Sequence, residues 1–119
     1  MTLKTKIGNF GQQIAGQFLL ARNYTIKQEN YYSRFGEIDI IAEKNNQLVF
    51  IEVKTRLSDQ FGLPEEAFDQ SKRARLEQTI AHYLAEQSVN HDNWRLDCLA
   101  VEIDKQQKIA RIRHHKNTS

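Results

Sequence analysis

Apolar residues fall at Ile7, Phe10, Ile14, Phe18 and Leu19 between Thr5 and Arg22. That spacing is the stripe of an amphipathic helix, with Asn23 as its stop. The pattern then changes period. Tyr24 to Tyr32 reads as an irregular strand suited to a sheet edge, and Ser33 to Gly36 as a turn. Two strands follow, near Glu37–Glu43 and Gln47–Arg56, around Asn45-Asn46. Asn tolerates positive φ, so this pair predicts a two-residue hairpin turn. After a polar loop, Pro64 suits the first position of a second helix, with Glu65 and Glu66 at its positive end. Phe68, Leu76, Ile80, Tyr83 and Leu84 carry its apolar face to about Gln87, with Asp69-Gln70-Ser71 as a candidate interruption. A loop at Ser88–Asn93 leads into a buried strand over Trp94–Ile103 and a short last one over Ile109–Arg113. The order is α-β-β-β-α-β-β, an α/β class with one mixed sheet and helices packed on it. The second helix is placed to cross over between parallel strands.

Within the hairpin the alternation is broken by charge. A two-residue turn at Asn45-Asn46 pairs residues whose numbers sum to 91. Ile40 then faces Ile51, Asp39 faces Glu52, and Glu37 faces Lys54. Alternation puts Glu37, Asp39, Glu52 and Lys54 on one face and Ile38, Ile40, Ile51 and Val53 on the other. Like charges directly opposed in a sheet are destabilising, so a positive group is expected between Asp39 and Glu52. Two readings are open from the pattern. One is a cross-strand ladder neutralised by Lys54 at a solvated sheet end. The other is a divalent cation, since two convergent carboxylates suit Mg²⁺ or Mn²⁺.

Composition narrows the setting. The 119 residues suit a single domain, 1–119, with a tail fraying from about residue 114. A net charge of +2 permits nucleic-acid binding without requiring it. Cys98 is the sole cysteine, which excludes an internal disulfide and reads as a core residue. No apolar run is long enough to span a bilayer, and the N-terminus lacks a signal-like apolar segment, so a cytoplasmic protein with no membrane partner is expected. The adjacent His114-His115 lack the spacing and Cys partners of a zinc site, His82 and His91 are isolated, and Asp97 beside Arg95 reads as a structural pair. Walker, GxSxG and dinucleotide motifs are absent.

Asp39, then twelve residues, then Glu52-Val53-Lys54, resembles the PD-(D/E)xK signature of restriction-endonuclease-like nucleases. The wider text is similar to the YraN-like family of uncharacterised bacterial proteins, related to archaeal Holliday-junction resolvases. The matching residues are Gly8, Gly11 and Ala15, "GEIDIIA" at 36–42, "VFIEVKTR" at 49–56, "GLPEEA" at 62–67, Lys72, and "RLDCLAV" at 95–101. This resemblance implies a restriction-endonuclease-like αβββαβ core and a metal-dependent nuclease acting on DNA, including branched or repair intermediates. It implies Asp39 and Glu52 as metal ligands, the Val53 carbonyl as a third, Lys54 as the catalytic lysine, and Mg²⁺ or Mn²⁺ as cofactor. Glu37 would be a supporting residue. Where relatives commonly carry Glu on the first helix, this chain has Gln12, a neutral and weaker ligand that speaks against a second metal. Arg34, Arg56, Lys72 and Arg75 are candidate phosphate contacts, Lys72 in particular because it falls on the apolar stripe of its helix. The resolvase relatives act as dimers, so the resemblance extends to a homodimer. The alternative function is a non-catalytic nucleic-acid-binding or protein-interaction module on the same fold.

Overall fold

A computed structural model describes residues 2–58, 69–88 and 93–116. Its elements are α1 (Leu3–Ala21), β1 (Thr25–Ser33), β2 (Gly36–Lys44), β3 (Gln47–Leu57), α2 (Gln70–Gln87), β4 (Trp94–Asp104) and β5 (Ile109–His115). The strands form one sheet in sequence order, β1-β2-β3-β4-β5. Every neighbouring pair is antiparallel except β3–β4, which is parallel and spanned by α2. The fold class expected from the sequence, a mixed sheet flanked by helices and consistent with a restriction-endonuclease-like core, is the one observed. Among the described residues, no helix is long and apolar enough to cross a membrane.

The sheet has two apolar faces. On one, Ala15 and Leu19 of α1 pack with Tyr24, Ile40, Ala42, Val49, Ile51, Leu99 and Val101. On the other, Leu76, Ile80, Tyr83 and Leu84 of α2 pack with Tyr31, Ile38, Ile41, Phe50 and Leu96. Cys98 is buried, as expected.

Phe10 departs from its place on the α1 stripe and is 52% exposed. The buried line is instead Gly11, Ala15 and Leu19. Small residues are needed because α1 lies almost against β3: a Cβ on Gly11 would stand 1.9 Å from Thr55 Oγ1. Helix α1 closes at Arg22, and Asn23 takes a left-handed φ of 69°, matching the expected stop. Asn45 and Asn46, with φ of 54° and 63°, make the expected turn. Strand β1 is irregular, as expected, with a register shift between Ile26 and Gln28, and it lies at a sheet edge.

Helix α2 starts at the point read as an interruption. Asp69 is extended, and its carboxylate accepts the Lys72 N–H at 2.9 Å, an N-cap that fixes the first turn. The proposed start at Pro64, with Glu65, Glu66 and Phe68, lies outside the described residues, as does most of the Ser88–Asn93 loop. Strand β5 continues to His115, past the expected end at Arg113 and past the point where fraying was anticipated. It is held there by His114, whose Nε2 lies 2.7 Å from Asp97 Oδ2. Asp97 is fully buried and also accepts two bonds from Arg95, at 2.8 and 2.9 Å, which is the structural pair read from the sequence.

Candidate functional site

The hairpin register holds from Lys44↔Gln47 to Ile40↔Ile51 and then stops. The expected pairs Asp39–Glu52 and Glu37–Lys54 therefore do not form. Asp39 turns its carboxylate into the opening, and Oδ2 accepts the Val53 N–H at 2.7 Å. A side chain replaces the main-chain acceptor that the ladder would have supplied. Alternation fails at the same point. Ile38 lies in the α2-side core while Ile40 lies in the α1-side core, correcting the assignment of both to one face. The neighbouring strand is irregular here as well, with Asn30 at a φ of 53°.

This break creates a cleft of about 280 Å³ on the α2 side, lined by Glu37, Asp39 and Glu52 from the sheet and by Lys72 and Arg75 from α2. Glu52 is 6% exposed. Its Oε1 lies 3.4 Å from Lys54 Nζ and 3.0 Å from Lys72 Nζ. Buried carboxylates demand such compensation, because an isolated charge of that kind is costly to desolvate. The positive group expected beside the two acids is thus a pair of ammonium groups.

Electrostatics follow from that crowding. Burial, and then the charge of Glu52, push the Asp39 carboxyl up from 3.8 to about 7, against the pull of the Val53 N–H. Burial and the neighbouring Lys72 ammonium lower the Lys54 pKa, although Glu52 opposes them. Burial also works against a charged Lys72. Its contacts with Lys54, Glu52 and Asp39 outweigh that and raise its pKa.

The other sequence candidates are placed around this core. Arg75 lines the cleft, and its carbonyl accepts the hydroxyl of the buried Thr79. Arg34 stands over the Phe35 ring at 4.9 Å, and Phe35 forms part of the cleft wall. Arg56 lies instead in a second groove, shared with Lys4 of α1 and Lys54. Gln12 reaches the rear of the break: its Nε2 lies 3.3 Å from the Asp39 carbonyl and 3.3 Å from Glu29 Oε1. It braces the Asp39 backbone and belongs to a separate polar recess with Asn9, Gln13, Glu29 and Asn30. The direct contact of Lys72 with Glu52 is more intimate than the phosphate-facing role its stripe position suggested.

The chain matches the model of the uncharacterised protein family UPF0102 over residues 11–101. Relatives agree over nearly full length. A UPF0102 protein of Alkaliphilus metalliredigens is 38% identical over 110 residues, covering 92% of this chain and 96% of the relative. One from Syntrophus aciditrophicus is 40% identical over 103 residues, covering 87% and 81%. One from Moorella thermoacetica is 39% identical over 105 residues, covering 88% of each. The chain belongs to the UPF0102 family. This is the YraN-like family whose motifs the sequence resembled, and in this UPF0102 protein the matched region runs from Gly11 through Val101. It therefore contains Gln12, Glu37, Asp39, Glu52, Lys54, Lys72 and Arg75 but ends before β5.

The donors in the UPF0102 cleft suit a hard divalent ion. Asp39 and Glu52 bring carboxylates, and the described contacts use Oδ2 of the first and Oε1 of the second. The N–H and C=O of one strand residue point to the same side. With the Val53 N–H directed at Asp39, regular strand geometry would turn its carbonyl the same way, where the β2 ladder has ended. Among the described residues, no third His, Cys, Asp or Glu completes a ligand group. Two carboxylates, with a strand carbonyl, would leave the rest of the shell of a hard cation to water and phosphate oxygens.

Proposed function

We propose that this UPF0102 protein is a metal-dependent nuclease that hydrolyses phosphodiester bonds in DNA, including branched or repair intermediates. The carrying observation is the break in the β2–β3 ladder, which turns Asp39 towards the cleft that holds Glu52 and brings Lys54 onto the same carboxylate. A purely structural charge ladder would have continued the register. Here the register is given up where the acids meet.

Asp39, Glu52 and the Val53 carbonyl would hold Mg²⁺ or Mn²⁺. When bound, such an ion polarises a phosphoryl oxygen and lowers the pKa of bound water. Lys54, with its pKa lowered, is suited to hold the attacking water and take its proton, or to steady negative charge on the phosphorus centre. Lys72, Arg75 and Arg34 are placed on or beside the cleft to position backbone phosphates, with Arg56 and Lys4 extending a basic track on the far side of Lys54.

One observation favours the second reading, a nucleic-acid-binding or protein-interaction module without catalysis. Gln12 takes the place of an acid and spends its amide on the Asp39 carbonyl and Glu29. Incubating duplex, single-stranded and four-way-junction DNA with Mg²⁺ or Mn²⁺ separates the two. Nuclease function requires cleavage by the wild type that is lost in Asp39→Asn and Lys54→Ala. Cleavage surviving in both variants defeats the assigned site, and binding without cleavage by the wild type selects the module.

A further inference from the structure

With both acids ionised, the charges around the cleft are balanced before any ion is added. Asp39 and Glu52 are matched by Lys54 and Lys72, which meet at Glu52 Oε1, while Glu37 and Arg75 both line the cleft. A divalent ion placed on the two acids would leave two surplus positive charges around Glu52, which is buried. Such an excess is strongly disfavoured where the effective dielectric is low. Something positive must leave, or something negative must enter.

The two lysines differ in their freedom to leave. Lys54 sits two residues from Glu52 on β3, and its backbone is fixed across the sheet by pairing with Ala100. Its side chain is 19% exposed, the more enclosed of the two. Lys72 approaches from the first turn of α2, where the Asp69 cap pins only its backbone. Its flexible four-carbon stem can swing without moving the helix. At 26% side-chain exposure it borders solvent, and it shares the cleft with Arg75, where a phosphate would lie.

We propose that Lys72 is a releasable counter-cation of Glu52: it occupies the Oε1 site in the metal-free protein, competes there with the divalent ion, and thereby regulates metal loading. The inference rests on the metal-site reading above. It assigns to one side chain the resistance of the site to metal in the absence of substrate.

The test is a titration of the full chain with Mn²⁺ alone, read by calorimetry and by the loss of free-ion paramagnetic resonance, with no nucleic acid present. Lys72→Met should bind Mn²⁺ about tenfold more tightly than the wild type, equivalent to ~1.4 kcal/mol. Lys72→Arg, which keeps the cation, should stay within about twofold of the wild type. Asp39→Asn should lose the site. Thermal melts confirm that each variant is folded. Equal or weaker binding by Lys72→Met, with Asp39→Asn still inactive in binding, overturns the counter-cation role and leaves the metal site standing. Mn²⁺ binding that ignores Asp39 in every variant, or no binding at all, overturns both.

Discussion

Asp39→Asn is expected to stabilise the metal-free protein at alkaline pH while abolishing its response to metal. The carboxyl is pushed up from 3.8 to about 7 in the folded state, first by burial and then by Glu52. A raised acid favours folding only while protonated. Its contribution is complete below about pH 4 and is lost as the pH rises through 7. A rise from 3.8 to about 7 corresponds to ~4 kcal/mol once Asp39 is fully ionised. Asp39 is only partly buried, so solvent screening is taken to halve this to ~2 kcal/mol. For a domain of this size that is roughly 5–10 °C in Tm. Asparagine retains an oxygen that can accept the Val53 N–H but carries no charge, so the variant should escape the penalty. Melts in EDTA between pH 4 and 9 should show the curves diverging above pH 5, with the variant higher. Added Mg²⁺ should raise the wild type alone. A variant less stable than the wild type at pH 8.5, or a difference that does not change with pH, would refute the reasoning.

Other outcomes follow from packing and capping. Gly11→Ala should lower stability by ~1–2 kcal/mol, because the clash with Thr55 exceeds the ~1 kcal/mol that alanine usually adds to a helix. Gly8→Ala, with nothing within 4 Å of the new Cβ, should be neutral or stabilising, and urea titration reads both variants. Asp97→Asn leaves Arg95 without its buried carboxylate and loosens His114, so urea unfolding should report a loss of ~2–4 kcal/mol. Asp69→Ala removes the α2 cap at a cost of ~1 kcal/mol, and amide exchange should rise in the first turn around Lys72.

Much of the architecture was legible because its signals are local. The Asn45-Asn46 turn, the stop at Asn23 and the apolar face of α2 are each set by neighbours a few residues away. Phe10 misled because helical periodicity counts hydrophobicity and cannot show how near the opposing strand lies. Contact with Thr55 puts glycine on the buried line and moves Phe10 off it. The acidic cluster was visible in the hairpin, but its geometry was not. A register argument extends a ladder indefinitely, whereas this one ends at Ile40↔Ile51, where Asp39 takes the Val53 N–H. Lys72 lies twenty residues beyond Glu52 in the chain, so only the docking of α2 could reveal which oxygen it meets.

The parallel pairing of β3 with β4 bears on how this molecule comes into being. β3 meets β2 across a tight turn, but its other partner lies 46 positions away, as in Leu48↔Trp94. Short loops close in microseconds or less, while long-range parallel pairing is intrinsically slower. During that interval the edge formed by Val49, Phe50 and Ile51 stands open, and these are among the most apolar neighbours in the chain. The strand that carries Glu52 and Lys54 is therefore also an aggregation hazard of the nascent chain until α2 and β4 arrive.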